Sequence, residues 1–268
     1  YSETLGAPPV GPGPFQFMTK LPLNQCFEVE WTEREFRLDR LPQALDGLTI
    51  LHVTDLHFIG TIDLPFYKAI FERAATLDCD LIVFTGDLLD GLEFADWLPE
   101  TIGKLDAPLG KYFILGNHDW HLEPDPIRAA MSQLGWNDVS SRLQVLDIAG
   151  HRLAIGGSEL PWMGKQPDFS GAPSDCFRLF LSHSPDNIQW ARRQGVDLML
   201  SGHNHGGQVV LPFIGPVYSP SIYGCHYAGG VYFEPPTLLS VSRGVSGRHP
   251  LRIGARPEIG RLTLRAES

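Results

Sequence analysis

The sequence lacks any apolar stretch approaching the roughly 20 residues that a membrane-crossing helix requires. Its most apolar run, residues 209–217, is short and is interrupted by Pro212, Gly215 and Pro216. That segment does not cross a bilayer. Cysteine is scarce: Cys26, Cys79, Cys176 and Cys225 lie far apart and form no C-x-x-C pair, so neither a zinc ribbon nor a dithiol redox motif is indicated. Basic residues are outnumbered 21 to 31 by acidic ones, giving a net charge of -10. The mean field therefore repels polyanions and disfavours nucleic acid as a partner. Internal repeats are absent, and the one biased tract is the Pro/Gly-rich stretch from Gly6 to Pro14.

What is present is the composition of a globular chain. With 43% hydrophobic and 19% charged residues in 268, a disordered reading is excluded, and no disulfide or metal staple is needed to fold. Residues 1–26 read as an N-terminal arm or linker, because proline and glycine extend the backbone and offer little to pack. Residues 27–268 read as a single domain. The chain starts at Tyr1 rather than methionine, so an upstream signal or anchor is expected to be missing, with the protein at a bacterial membrane periphery or in the cytoplasm.

Short apolar runs recur through the domain: Leu48 to Val53, Leu81 to Phe84, Tyr112 to Leu115, Leu153 to Ile155, Leu179 to Leu181 and Leu198 to Leu200. They read as buried strands. An alternating segment from Cys26 to Leu38 predicts an edge strand ahead of them. Helices are predicted between strands, one from Asp63-x-Pro65 with Phe66, Ile70, Phe71, Ala74 and Leu77 on one face, one from Pro124 to Gly135, and one between Ser184-Pro185 and Gly195. Beyond Gly206 only short strands and turns are expected. The pattern implies an α/β fold in which two sheets pack together with helices outside.

Polar clusters follow the apolar runs: Asp55-Leu56-His57, Gly86-Asp87, Gly116-Asn117-His118-Asp119, His183, and Gly202-His203-Asn204-His205. Ligands gather at the carboxyl ends of strands in open α/β sheets, so these clusters are expected to converge. Residues two apart on an extended chain share a face, which would aim Asp55 and His57 at one point. Taken singly, Gly86-Asp87 reads equally as a turn and His183 as a hydrogen-bonded histidine. His52, His121, His151, His226 and His249 receive no role.

In this order the clusters resemble the blocks D-x-H, G-D, G-N-H-D/E, H and G-H-x-H of the calcineurin-like metallophosphoesterases. The following His205-Gly206-Gly207-Gln208 and Ser242-Arg243-Gly244, with Arg252 and Arg256-Pro257-Glu258, resemble a bacterial branch. That branch holds membrane-associated phosphoesterases and a UDP-2,3-diacylglucosamine pyrophosphohydrolase. The resemblance implies the four-layer fold of that family, with two mixed sheets as a sandwich flanked by helices. It implies one metal on Asp55, His57 and His205, a second on Asn117, His183 and His203, and Asp87 bridging them. The donors suit Mn, Fe, Zn or Co, and two such cations would activate a bridging water and clamp the phosphoryl oxygens. His118 would serve the leaving oxygen, with Asp119 fixing its tautomer.

The resemblance implies hydrolysis of a phosphodiester or pyrophosphate bond, on a lipid-linked or nucleotide-linked substrate such as UDP-2,3-diacylglucosamine. A general phosphomonoesterase or nuclease on soluble substrates, and a metal-binding scaffold without catalysis, are the alternatives. Arg243, Lys165 and Trp162 are candidate substrate contacts. Aromatic and apolar residues near the clusters, among them Phe58, Phe66, Tyr67, Phe213, Ile214, Tyr218 and Ile222, read either as core or as a rim that meets a lipid or a membrane surface.

Overall fold

A computed structural model of the protein describes residues 8–267. Strands β1 (Glu30–Leu38), β2 (Thr49–Val53), β3 (Leu81–Thr85), β4 (Lys111–Ile114) and β5 (Trp136–Asp138) belong to the first sheet. Helices α1 (Leu64–Ala74), α2 (Asn117–His121) and α3 (Pro124–Gln133) lie between them. The second sheet takes β6 (Leu143–Ile148), β7 (His151–Ser158), β8 (Phe177–Ser182) and β9 (Leu198–Ser201), with α4 (Ile188–Arg193) connecting the last two. A small hairpin, β10 (Val210–Leu211) and β11 (Gly215–Pro216), precedes β12 (Gly230–Glu234) and β13 (Thr237–Val241) of the second sheet. The chain then returns to the first sheet as β14 (Glu258–Ala266).

Each large sheet has six strands, ordered β1-β14-β2-β3-β4-β5 and β12-β13-β9-β8-β7-β6. Strands β2 to β5 run parallel, as do β7, β8, β9 and β13. Alternate side chains explain the layers. Ile50, Leu81, Val83 and Ile114 meet Leu153, Leu179, Leu181 and Leu198 between the sheets, while Leu51, Val53, Ile82 and Phe84 face outward onto α1. The opposite outer face, with Phe180 and Met199, is covered by Ile188 and Ala191 of α4. The order is therefore helix, sheet, sheet, helix, as expected.

Helix α1 starts where Asp63 accepts a hydrogen bond from the Leu64 N–H at 2.8 Å, and Pro65 occupies the first turn, where no donor is needed. It buries Phe66, Tyr67, Ile70, Phe71 and Ala74. Truncating Phe66 or Phe71 to alanine would cost about 3–5 kcal/mol. The parallel strands β2, β3 and β4 thus end side by side under a rigid layer, which brings their trailing loops to one edge.

Among the strands up to β9, two have no counterpart among the expected runs. β5 is three residues long and β6 is half-exposed along its length, so neither carries a continuous apolar signal. Over residues 9–14 the Pro/Gly segment lies on the domain and is no free linker. Gly11 N and Gly13 N donate to the carbonyls of Thr61 and Gly60 at 3.0 Å, and a Cβ on Gly11 would come within 2.4 Å of the Gly60 oxygen. Residues 1–7 of that segment lie outside the described residues. All four cysteines are unpaired. Among the described residues no helix is long and apolar enough to cross a membrane.

Candidate metal centre

Five parallel strands deliver the polar clusters to one place. Asp55 and His57 follow β2, Asp87 follows β3, Asn117 and His118 open α2 after β4, His183 follows β8, and His203 and His205 follow β9. The local geometry differs from the extended one expected for Asp55-x-His57. Asp55 (φ 55°) and His57 (φ 45°) are left-handed, as are Asp87 (57°), His203 (71°) and His205 (50°). Bulky residues seldom adopt that region, and such positions cluster at functional sites. Left-handed turns, rather than strand pleating, aim these side chains inward.

The side chains form two groups with a shared member. Ligand atoms of Asp55, His57, Asp87 and His205 lie within 4.8 Å of one another, and so do those of Asp87, His183 and His203. His57 Nε2 is 3.4 Å from Asp87 Oδ2, and His183 Nε2 is 3.3 Å from the same oxygen. Asn117 Oδ1 joins the second group, 3.1 Å from His183 Nε2. The outer ring nitrogens are already used: His57 Nδ1 lies 2.8 Å from Asp90 Oδ2, and His183 Nδ1 lies 2.7 Å from the Thr85 carbonyl oxygen. Each ring then donates outward through Nδ1 and turns its Nε2 to the interior, where a metal ion would take the place of the proton.

Charge and satisfaction fit a cation. Asp55 and Asp87 are both buried. Burial resists their ionisation, but His205 beside Asp55 and His183 beside Asp87 hold both carboxyls well below the usual carboxylate range. Burial also opposes charge on His183, yet Asp87 outweighs it and lifts the imidazole to about 9. His57 Nε2 is buried without a hydrogen-bond partner, between the two carboxylates. Burial opposes charge there, but the carboxylates around it hold its pKa well above the usual imidazole range, so the position draws a positive charge, a proton or a metal ion. These acidic and histidine side chains are positioned to bind metal ions, and the nitrogen-rich donor set suits transition metals over calcium.

The carboxylate beside His118 is not the one expected. Asp119 is the third residue of α2 and is fully buried, accepting from the backbone N–H groups of Gly116, Leu88 and Leu89 at 2.9 to 3.0 Å. Neighbours in a helix point about 100° apart, so Asp119 turns into the protein as His118 turns out. Burial, and then the charge of Asp87, push its carboxyl up to about 7. His118 instead pairs through Nδ1 with Asp90 Oδ1 at 2.6 Å. Asp90 was missed in the sequence because it stands three residues past Gly86-Asp87, in what reads as an ordinary turn. His118 N donates to Asp87 Oδ1 at 2.9 Å, which fixes the start of α2 to the shared carboxylate.

A cleft of about 230 Å³ opens over the site, lined by His57, Asp87, Asn117, His118, His203 and His205, and walled by Tyr218, Pro220, Arg248 and His249. Trp162 packs its ring 4.9 Å from His203 and 5.5 Å from His183, beside the second group. Arg243 does not reach the cleft: its Nε lies 2.9 Å from Glu258 and its Nη2 2.6 Å from Glu30, in a separate recess. The buried Glu258 carboxylate captures it, and Arg248 is the arginine at the cleft. Lys165 stands exposed on a loop. Phe58, Phe66 and Tyr67 belong to the core, whereas Phe213, Ile214, Tyr218 and Ile222 are exposed. Asn204, between the two histidines, donates to the Tyr227 carbonyl at 2.8 Å and anchors their loop.

Comparison with known proteins matches residues 48–207 to the family described as calcineurin-like phosphoesterase. The chain is 34% identical over 248 residues to an uncharacterized metallophosphoesterase of Bacillus subtilis, YkuE, with 89% of this chain and 86% of that protein covered. It is 26% identical to the UDP-2,3-diacylglucosamine pyrophosphatase LpxG of Chlamydia muridarum, covering 85% of this chain and 87% of that one. It is also 26% identical to the phosphodiesterase YaeI of Escherichia coli, covering 80% and 81% respectively.

Proposed function

The chain belongs to the calcineurin-like phosphoesterase family and is a metal-dependent phosphoester hydrolase, and from that premise we propose that it hydrolyses a phosphodiester or pyrophosphate bond of a lipid-linked or nucleotide-linked substrate. The observation that carries the reading is Asp87, whose carboxylate is common to both ligand groups. Asp55, His57 and His205 would hold one divalent cation, Asn117, His183 and His203 another, with Asp87 between them. When bound, such a pair supplies Lewis acidity toward the phosphoryl oxygens and acidifies the attacking water.

The chain's own residues do the rest. His118 is one-fifth exposed at the cleft with its Nδ1 committed to Asp90, so its Nε2 is free to give a proton to the departing oxygen. Asp90 fixes that tautomer and offsets the imidazolium charge. Arg248 on the wall offers a planar cation to a phosphate or diphosphate oxygen. The substrate class is supported by the relatives named as a phosphodiesterase and as a UDP-2,3-diacylglucosamine pyrophosphatase. The test is release of UMP from UDP-2,3-diacylglucosamine by manganese-reconstituted protein, with Asp87→Asn as control. Release that vanishes in the control supports the nucleotide-lipid substrate. Turnover of an aryl diester without UMP release keeps the diesterase reading and discards that substrate, and turnover of aryl monoesters alone overturns both.

A further inference from the structure

We propose that the face around the cleft mouth docks on a lipid bilayer bearing anionic headgroups, with the β10–β11 hairpin as its inserting tip. Large apolar side chains left in solvent are concentrated there. Phe213 and Ile214 cap the hairpin, Val217 and Ile222 follow it, and Phe17 and Leu23 stand on the N-terminal segment, all more than half exposed. Phe213 is fully exposed, at the tip of a hairpin that pairs Leu211 with Gly215.

The two segments flank one opening. Phe15 packs on His249 at 4.5 Å, and Asn24 Nδ2 donates to the Pro250 carbonyl at 2.7 Å. Val210 N donates to the Ile253 carbonyl at 2.8 Å. Residues 249–253 therefore stitch the N-terminal segment to the hairpin, and Arg248, His249, Tyr218 and Pro220 carry the same surface down into the cleft.

Charge identifies the occupant. Residues 15–25, 206–230 and 244–254 contain no aspartate or glutamate, in a chain that holds 31 and has a net charge of -10. The charged side chains they do contain are Lys20, Arg248 and the buried Arg252. Asp186, a carboxylate that reaches these segments from outside, is part-buried and accepts from Ser221 Oγ and Ile222 N. An anionic surface thus repels this face less than the acidic remainder of the molecule, and the charge asymmetry orients the cleft toward the lipid. Apolar side chains ringed by a few basic ones are the composition of interfacial segments. A protruding tip offers little of the flat, close-packed area of roughly 1,200 Å² or more that a stable protein interface buries. The proposal rests on this surface and stands whichever phosphoester is cleaved.

Co-sedimentation of the full chain with sucrose-loaded vesicles of phosphatidylcholine and phosphatidylglycerol tests it. The wild type is expected to pellet, and the double variant Phe213→Ser/Ile214→Ser to lower the bound fraction at least about fivefold. Because both side chains stand in solvent, the variant should match the wild type in unfolding midpoint and in turnover of a short soluble aryl diester. Failure of the wild type to pellet would overturn the proposal. So would equal pelleting of the variant, or a dimer in solution that the substitutions dissolve while vesicle binding is unchanged.

Discussion

Asp90 Oδ1 lies 2.6 Å from His118 Nδ1, and its other oxygen lies 2.8 Å from His57 Nδ1. One carboxylate therefore orients both His118, the proposed proton donor, and His57 of the first group. Burial resists its ionisation, but the two imidazoles hold it well below the usual carboxylate range. Asp90→Asn is expected to lower kcat by about 100-fold and to weaken metal retention by roughly 10- to 100-fold. His118→Ala should lower kcat by about 10²- to 10⁴-fold with metal content unchanged. Steady-state kinetics beside metal analysis after dialysis separates the two, and metal loss in His118→Ala would contradict the assignment.

Asp119 has a structural task that can be measured apart from catalysis. Asp119→Ala strips the acceptors from buried N–H groups of Gly116, Leu88 and Leu89. Leaving buried donors unsatisfied should cost on the order of 3 kcal/mol or more. Urea unfolding of the metal-free protein reads this directly. An unchanged midpoint would mean that water or a rearranged loop replaces the carboxylate.

The convergence of Asp55, His57, Asp87, His183, His203 and His205 was legible because most of the polar clusters begin where an apolar run stops. Asp90 was not legible, since its partners His57 and His118 come from the ends of different strands and meet only when β2, β3 and β4 lie side by side. The left-handed backbone at Asp55, His57 and Asp87 was equally hidden, because no glycine marks it. Arg243 illustrates the converse. Its neighbourhood in sequence suggested an anion contact, but the buried Glu258 from β14, remote until the sheet closes, holds it elsewhere. Short edge strands such as β5 carry too few apolar residues to announce themselves.

His52 offers a pH-dependent term. It faces the layer between the sheets with Nε2 2.9 Å from Thr85 Oγ1, and burial lowers its pKa from 6.5 to about 4. The unfolded chain binds this proton below about 6.5, the native state only below about 4. Stability is therefore lost as pH falls through that window, by up to roughly 3 kcal/mol. His52→Gln keeps a hydrogen-bonding group at Thr85 and cannot titrate. The stability gap between wild type and variant should shift in favour of the variant from pH 7 to pH 4.5, measured by urea unfolding of metal-free protein. A gap independent of pH would show that His52 charges in the native state without cost.

Gly116 leaves no room for a side chain beside the shared carboxylate. A Cβ there would lie 2.2 Å from Asp87 Oδ1, 2.5 Å from Asp87 N and 2.7 Å from His183 Cε1. Its φ of -112° is open to any residue, so the constraint is the space and not the backbone. Gly116→Ala must push Asp87 and His183 apart, and both serve the second ligand group. We expect metal content to fall and aryl diester turnover to drop by at least about 100-fold, with a loss of a few kcal/mol in stability from overpacking. Gly150→Ala is the matched control: it meets nothing within 4 Å but holds φ 81° in the β6–β7 turn, so it pays strain without touching the site. It should lose about 1 kcal/mol and keep its metal and its rate. Equal activity of the two variants would mean that Asp87 and His183 can shift to admit a methyl group without loss of the site.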